Sequence, residues 1–486
     1  MAQPSGVGPP DHPLLANPEI AAALELYGLW VEDQRAALRQ PGVAIGLVVG
    51  PDLVWARGFG VADLATGRPA TPDTVFGLGS ITKTFTATAL LQLRDAGRLR
   101  LDDPVARHLP WFQVQAPAPD EEVITVRHLL THTAGLPREA PFPYWTDRAF
   151  PSRDELVRAI REQVAGDVPG TRYRYSNLGI AVAGMVVEAA SGMAWGDYVR
   201  RHVLAPLGME STFVDFASVP PERFATGYLT RPDEGAPPPV APATEAAALA
   251  PAASMASTVR DLARYLSAHA AGSTAPGAGA PLLRATTRRE MQRVHWLSES
   301  WSSGRGLGWS VWRQSDRTLV GHGGWVAGHR AQIAFEPKTG IGVVVLTNSD
   351  EGGPGSYGST AFELVAPAIE KALAPPEPER PEVELARFTG GYHTPWGERR
   401  HLLLWQGDLA LYDRTRPPGD DPADELTRLI PEGATAFRID GDGGDGDTVV
   451  FELGEDGRVE RMKVGETYWF PEGCGDIGPD LRCRWN

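Results

Sequence analysis

Read as a pattern of apolar and polar positions, the chain divides into a mixed helix-and-strand region and an all-strand region. Residues 20–39, apolar at Ile20, Ala21, Leu24, Leu26, Tyr27, Leu29, Trp30, Val31, Ala37 and Leu38, predict an amphipathic helix ended by Pro41. The unbroken apolar run 43–49 predicts a buried strand, and 53–60 its hairpin partner after a return at Asp52. From Ser80 an almost wholly apolar helix runs through Phe85, Leu90, Leu91 and Leu93 to a stop at Gly97. A helix apolar on every side belongs at the centre of a fold. Residues 126–136 predict a short helix closing into a turn. Residues 180–190 predict a second apolar helix, with Tyr175 and Asn177 just before it. The Pro/Ala-rich stretch 231–253 reads as a surface excursion or flap, 259–266 as a helix, and 272–280 as a flexible segment. Strand patterning returns at 306–312, 318–322, 332–337 and 342–348, an antiparallel meander closed by a helix over 361–373.

Residues 374–383 form a proline-rich linker and a natural boundary. Beyond it, residues 384–486 read as β throughout. A hairpin over 401–405 and 409–412 is followed by strands at 448–453, 459–464 and 468–470, and this spacing predicts a small barrel. The expected organisation is therefore a domain over 1–373, a linker over 374–383 and a β-barrel domain over 384–486.

Composition changes this picture little. The chain has 486 residues, 42% hydrophobic and 22% charged, as in an ordinary globular protein. A formal net charge of −15 argues against nucleic acid as a partner, since that binding needs basic patches. Cys474 and Cys483 are the only cysteines. They can pair or remain thiols, and they make no disulfide framework. Residues 1–19 are rich in Pro and Gly and lack a basic segment followed by an apolar run, so a cytoplasmic location is expected. No apolar run reaches membrane-spanning length.

The candidate chemistry starts at Ser80-Ile81-Thr82-Lys83. Positions i and i+3 share a helix face, so the lysine amine reaches the serine hydroxyl at the helix N-terminus, where developing negative charge is favoured. That is one way to activate a weak hydroxyl nucleophile. His128 and His132 have the i, i+4 spacing of a metal pair. Leu129 stands where a H-E-x-x-H site carries Glu, so both histidines read as structural. The run Asp440–Asp447 invites a calcium reading, but Phe451 stands at the twelfth position where an EF-hand needs Glu, so it reads as a solvated turn. No metal and no cofactor is expected.

Ser80-Ile81-Thr82-Lys83, Tyr175-Ser176-Asn177 and His322-Gly323-Gly324 stand in one order along the chain. In this the sequence resembles the serine β-lactamase and penicillin-binding-protein superfamily, in its class C-like branch, over about residues 20–373. The resemblance implies an α+β fold: an antiparallel sheet flanked by helices, with an all-helical subdomain. Several such relatives append a lipocalin-like barrel, which matches the C-terminal region. Ser80 would be the acylated nucleophile. Lys83 would take its proton, or hold the anion of Tyr175 that does. Tyr175 would pass the proton to the leaving group, and Asn177 would position Lys83 and the substrate amide. His322, Gly323 and Gly324 would form the cleft edge, and the backbone N–H groups of Ser80 and Trp325 an oxyanion hole. The branch usually carries Lys where His322 stands, to hold a substrate carboxylate. A histidine there is similar to D-aminopeptidases and some esterases. The expectation is a serine hydrolase of a small amide or peptide, with D-residues among the candidates. Alternatives are a carboxylesterase, an acyltransferase or a weak β-lactamase, and, in another class, a non-catalytic ligand-binding relative. The absence of any G-x-S-x-G elbow disfavours an α/β-hydrolase.

Overall fold

The computed structural model describes residues 12–114, 123–233, 235–270, 281–374, 384–414, 426–440 and 446–484. The segment 272–280, residues 375–383 of the linker and 441–445 of the acidic run lie outside the described residues. The chain divides into two compact units, Met1–Leu373 and Ala374–Asn486.

The first unit is built on an eight-stranded sheet. Its strands are β1 (Gly42–Val49) and β2 (Asp52–Gly60), then β5 (Trp296–Leu297), β6 (Ser303–Arg305), β7 (Ser310–Gln314), β8 (Arg317–Val326), β9 (His329–Phe335) and β10 (Ile341–Thr347). The order across the sheet is β2-β1-β10-β9-β8-β7-β6-β5, antiparallel at every step. A separate pair joins β3 (Phe76–Gly77) to β4 (Ala256–Ser257). The long helices are α1 (Pro18–Ala37), α2 (Thr82–Asp95), the short α3 (Val126–Thr131), α4 (Asn177–Ser191), α5 (Val259–His269), α6 (Pro354–Leu364) and α7 (Ala366–Leu373).

Alternation along the central strands feeds two cores. Val343 and Val345 of β10, with Val43, Ile45 and Leu47 of β1, pack against Ile20, Leu24, Tyr27 and Val31 of α1 and against Phe362 and Ile369 of the C-terminal helices. Val344 and Leu346 face the opposite way, into a larger core with Phe85, Leu90, Ile180 and Val186. A sheet covered on both faces needs apolar residues at odd and even positions alike. This is why the sequence shows continuous runs there rather than alternation.

Several boundaries differ from expectation. The α1 helix starts at Pro18 because Asn17 caps it, its side chain accepting from Glu19 N at 2.9 Å and Ile20 N at 3.3 Å. Ser176 caps α4 by accepting from Gly179 N, so Asn177 is the first residue of that helix rather than a residue before it. The C-terminal helix begins at Pro354 and is split at Val365. The surface excursion expected over 231–253 is corrected in its last third. Residues 250–253 form a short helix whose Pro251, Ala252 and Ala253 are buried, and Gly184 of α4 lets Pro251 approach it.

The second unit is a closed barrel of eight antiparallel strands in chain order: β11 (Gly390–His393), β12 (Arg399–Trp405), β13 (Asp408–Asp413), β14 (Leu426–Pro431), β15 (Ala436–Asp440), β16 (Thr448–Leu453), β17 (Val459–Val464) and β18 (Thr467–Pro471). Closure of β18 onto β11 leaves no free sheet edge in the ring. Phe388, Phe437, Phe451, Met462 and Trp469 fill the interior. Cys474 and Cys483 are joined in a disulfide. Among the described residues, no single helix is long and apolar enough to cross a membrane.

Candidate active site

The centre of the site is a tight corner. Strand β3 leads through Leu78 into a single 3-10 turn, Gly79–Ile81, and only then into α2. Ser80 sits in that turn, so its amide is one of the donors that a helix start leaves without an internal partner. Gly79 has φ +50°, and a Cβ there would stand 2.3 Å from Trp325 O and 2.6 Å from Trp325 N. A Cβ on Gly324 would stand 1.9 Å from Leu78 O. Only glycine at both positions lets β8 lie against the serine turn. Met255 N donates to Thr82 Oγ1 at 3.1 Å, which ties the first turn of α2 to the segment before β4.

Lys83 is fully buried. Its Nζ lies 2.9 Å from Ser80 Oγ and donates to Ala252 O at 2.8 Å. Burial disfavours the ammonium and brings the Lys83 pKa down to about 7. The Glu139 carboxylate opposes that shift and the Arg138 guanidinium adds to it. Near neutral pH the amine therefore exists in both forms. The ammonium donates to Ser80 Oγ; the free amine accepts from it. The Tyr175 ring stands 5.0 Å from Lys83 Nζ and 5.0 Å from the Arg138 guanidinium. Burial pushes the Tyr175 phenol up to about 12 despite a hydrogen bond with Ser80, so it is protonated at neutral pH.

Glu139 and Tyr144, which no sequence motif marks, complete the site around Asn177. Asn177 Nδ2 donates to Glu139 Oε1 at 2.6 Å, and Tyr144 Oη donates to Glu139 Oε2 at 2.5 Å. Asn177 makes no hydrogen bond to Lys83, and its Oδ1 is buried without a partner among the described residues. Asn177 therefore holds Glu139, whose carboxylate favours the Lys83 ammonium, and the expected contact of Asn177 with Lys83 is not made. His132 ends α3 in the left-handed region, at φ 58°, and accepts from Ser176 N at 3.1 Å through Nδ1. Its ring packs 4.5 Å from that of Tyr175. Burial, then the charge of Lys83, hold its pKa well below the usual range. His128 closes the capping box of α3 with Thr125. Among the described residues no group of three or more His, Cys, Asp or Glu is placed to hold a metal.

The other wall is β8. Strand β7 covers it only as far as the Ser310↔Gly321 pair, so from His322 onward that edge faces the cleft. His322 is buried, and its pKa is depressed to about 3 by burial and then by Lys83. Its Nδ1 lies 2.6 Å from Gly323 O. A carbonyl can only accept, so Nδ1 carries the proton and the neutral ring offers Nε2 as an acceptor. A Cβ on Gly323 would meet only Ala331 O, at 3.9 Å. Trp325 Nε1 donates to Asp350 Oδ1 at 2.7 Å. The cleft is about 900 Å³ and is lined by Ser80, Tyr175, His322, Gly323, Gly324 and Trp325, together with Arg138, Arg305 and Arg330. All the site residues expected from sequence except Lys83 and Asn177 line it; those two lie buried behind it. Arg305 stacks on Tyr173 at 4.8 Å and bonds Ser310, with no carboxylate partner among the described residues.

The Beta-lactamase family profile matches residues 30–366. The chain belongs to the beta-lactamase family. This beta-lactamase-family protein is 30% identical over 369 residues to penicillin-binding protein 4 of Amycolatopsis lactamdurans, covering 74% of this chain and 94% of that one. It is also 30% identical over 444 residues to the unguisins hydrolase ungD' of Aspergillus campestris (strain IBT 28561), covering 82% and 80%. Among solved structures it resembles a D-stereospecific amidohydrolase from Streptomyces sp., with TM-score 0.59 and 27% identity, over 72% of this chain and 99% of that one. As a member of this fold family the protein is an enzyme, a serine hydrolase.

Proposed function

We propose that the enzyme hydrolyses a small amide or peptide through an acyl-enzyme on Ser80, with a D-configured residue on the acyl side. The observation that carries this reading is the buried Lys83 amine, 2.9 Å from Ser80 Oγ, with a pKa near 7. A base poised near neutral pH can take the serine proton as Oγ attacks the substrate carbonyl. The oxyanion then lies between the N–H groups of Ser80 and Trp325, each such donor being worth about 3–4 kcal/mol of barrier. The C–N bond breaks and the leaving amine takes the Tyr175 proton, which the Lys83 ammonium replaces. Water enters by the reverse path and splits the ester. Asn177, behind the cleft, holds Glu139, whose carboxylate favours the ammonium of Lys83.

The neutral His322 supplies no cation for a substrate carboxylate, so an anionic group on the substrate falls to Arg305. The D-preference is supported by the similarity to the Streptomyces amidohydrolase. Turnover of D- and L-aminoacyl anilides, p-nitrophenyl esters and nitrocefin tests the reading. The expected result is D over L by about tenfold or more in kcat/KM, with nitrocefin poorest. Faster ester turnover than either anilide would assign an esterase instead. A fluorophosphonate adduct of equal yield on wild type and Ser80→Ala would overturn the acyl-enzyme itself.

A further inference from the structure

A second cavity, about 430 Å³, lies in the same unit and shares no lining residue with the catalytic cleft. Its walls are mostly apolar, from Phe216 and Phe224 on one side to Val326 and Ala327 at the β8–β9 turn on the other. One polar side chain inside it stands out. His329 is 4% exposed and its ring is stacked 5.1 Å from Phe224. Gly77 N donates to its Nδ1 at 3.4 Å. Since Nδ1 accepts, the neutral ring carries its proton on Nε2. Burial keeps that ring neutral, with a pKa near 4. Nε2 has no hydrogen-bond partner among the described residues. It points toward Gly227, where a Cβ would stand 2.8 Å away, and Gly227 lines the cavity as well.

Nε2–H is accessible from the cavity, so its acceptor is whatever fills the cavity. The volume suits one small molecule. Glu245 on the lining disfavours an anion. We propose that this cavity is a ligand site, separate from the catalytic cleft, for a small neutral apolar molecule whose carbonyl oxygen accepts from His329 Nε2–H. The ring that would hold the carbonyl also holds Gly77, three residues before Ser80, so the site adjoins the strand that presents the nucleophile.

Acetophenone and ethylbenzene, of similar shape but with and without the carbonyl, test this on the full chain. With histidine labelled by nitrogen-15, acetophenone is expected to shift the His329 ring N–H saturably. It should bind about fivefold tighter than ethylbenzene, the worth of one hydrogen bond. The same titration on Ser80→Ala should be unchanged, which separates this site from the proposed catalysis. His329→Phe should bring the two affinities together. No saturable shift on wild type, equal affinity for the two probes, or loss of binding in Ser80→Ala would overturn the proposal; none of these readouts depends on the His329 variant folding.

Discussion

The two units bury their polar groups in opposite ways. The barrel interior holds Phe388, Tyr392, Phe437, Phe451 and Trp469, and its one buried charged side chain among the described residues is Asp408, held by Arg428. The first unit buries Lys83, His132, Asn177, Asp261, His269, His322 and His329. An unpaired charge in an apolar interior is costly, and a protein relieves the cost by shifting the pKa. The barrel avoids that cost with an apolar filling. The first unit accepts it around Ser80 and obtains an amine that is free near neutral pH. The difference teaches where chemistry resides: stability favours the barrel's arrangement, and reactivity needs the other.

The largest effect expected from breaking this contrast is at Lys83. Lys83→Met removes the base while keeping the volume, and kcat should fall about 10³-fold or more. Stability should move the other way. The native pKa lies near 7 and the ordinary value is 10.5. The unfolded chain therefore binds more protons between those values, and wild-type stability rises with pH across that window. The destabilisation is full below pH 7 and gone above 10.5. Melting curves should show Lys83→Met gaining on wild type as pH falls from 10 to 7; a constant difference would mean that the native lysine titrates normally.

Phe451→Ala tests the other side of the comparison. Phe451 lies 4.4 Å from Phe388 and 5.5 Å from Phe437, ring to ring. Removing it should cost the barrel about 3–5 kcal/mol in denaturant unfolding. Fluorophosphonate labelling of Ser80 below the barrel transition should be unaffected. A parallel loss of labelling would show that the two units share more than a chain. Tyr175→Phe is expected to be milder, about 10²-fold in kcat on amides and less on esters with good leaving groups, which need no proton. Equal losses on both would remove the phenol from the leaving-group step.

How much of this the sequence disclosed follows from the range of each interaction. Ser80 and Lys83 were legible because i, i+3 spacing on a helix fixes their distance locally. The β1 and β10 runs were legible because burial on both faces leaves an apolar signature. Glu139 was not, and His132 only as a structural residue, since they meet Asn177 and Ser176 across some forty residues of sequence. The segment 250–253 misled because its contribution is a backbone carbonyl. Ala252 O holds Lys83 Nζ, and alanine and proline side chains carry no sign of it. Strands β3, β4, β5, β6, β11, β14 and β15 were missed as well, the first four being only two or three residues long. The i, i+4 pair His128 and His132 serves as expected in packing and capping, yet one of the two lies directly beneath the candidate acid.

The smallest effects are the most telling about the buried amine. If Lys83 is the base, the rising limb of kcat/KM against pH has its midpoint near 7, because only the free amine accepts the serine proton. Neither His322, depressed to about 3, nor His132, held well below the usual range, places a midpoint there. The neighbouring charges then fix the sign of two further shifts. Glu139 favours the ammonium, so Glu139→Gln should move the midpoint to lower pH. Arg138 disfavours it, so Arg138→Gln should move it to higher pH. Each replacement keeps a polar side chain while removing the charge, and general loosening of the site would move both midpoints the same way, back toward 10.5. Tyr175 feels the same two charges but titrates near 12, so opposite displacements about a midpoint near 7 are those of Lys83, and a common direction would remove it from that role.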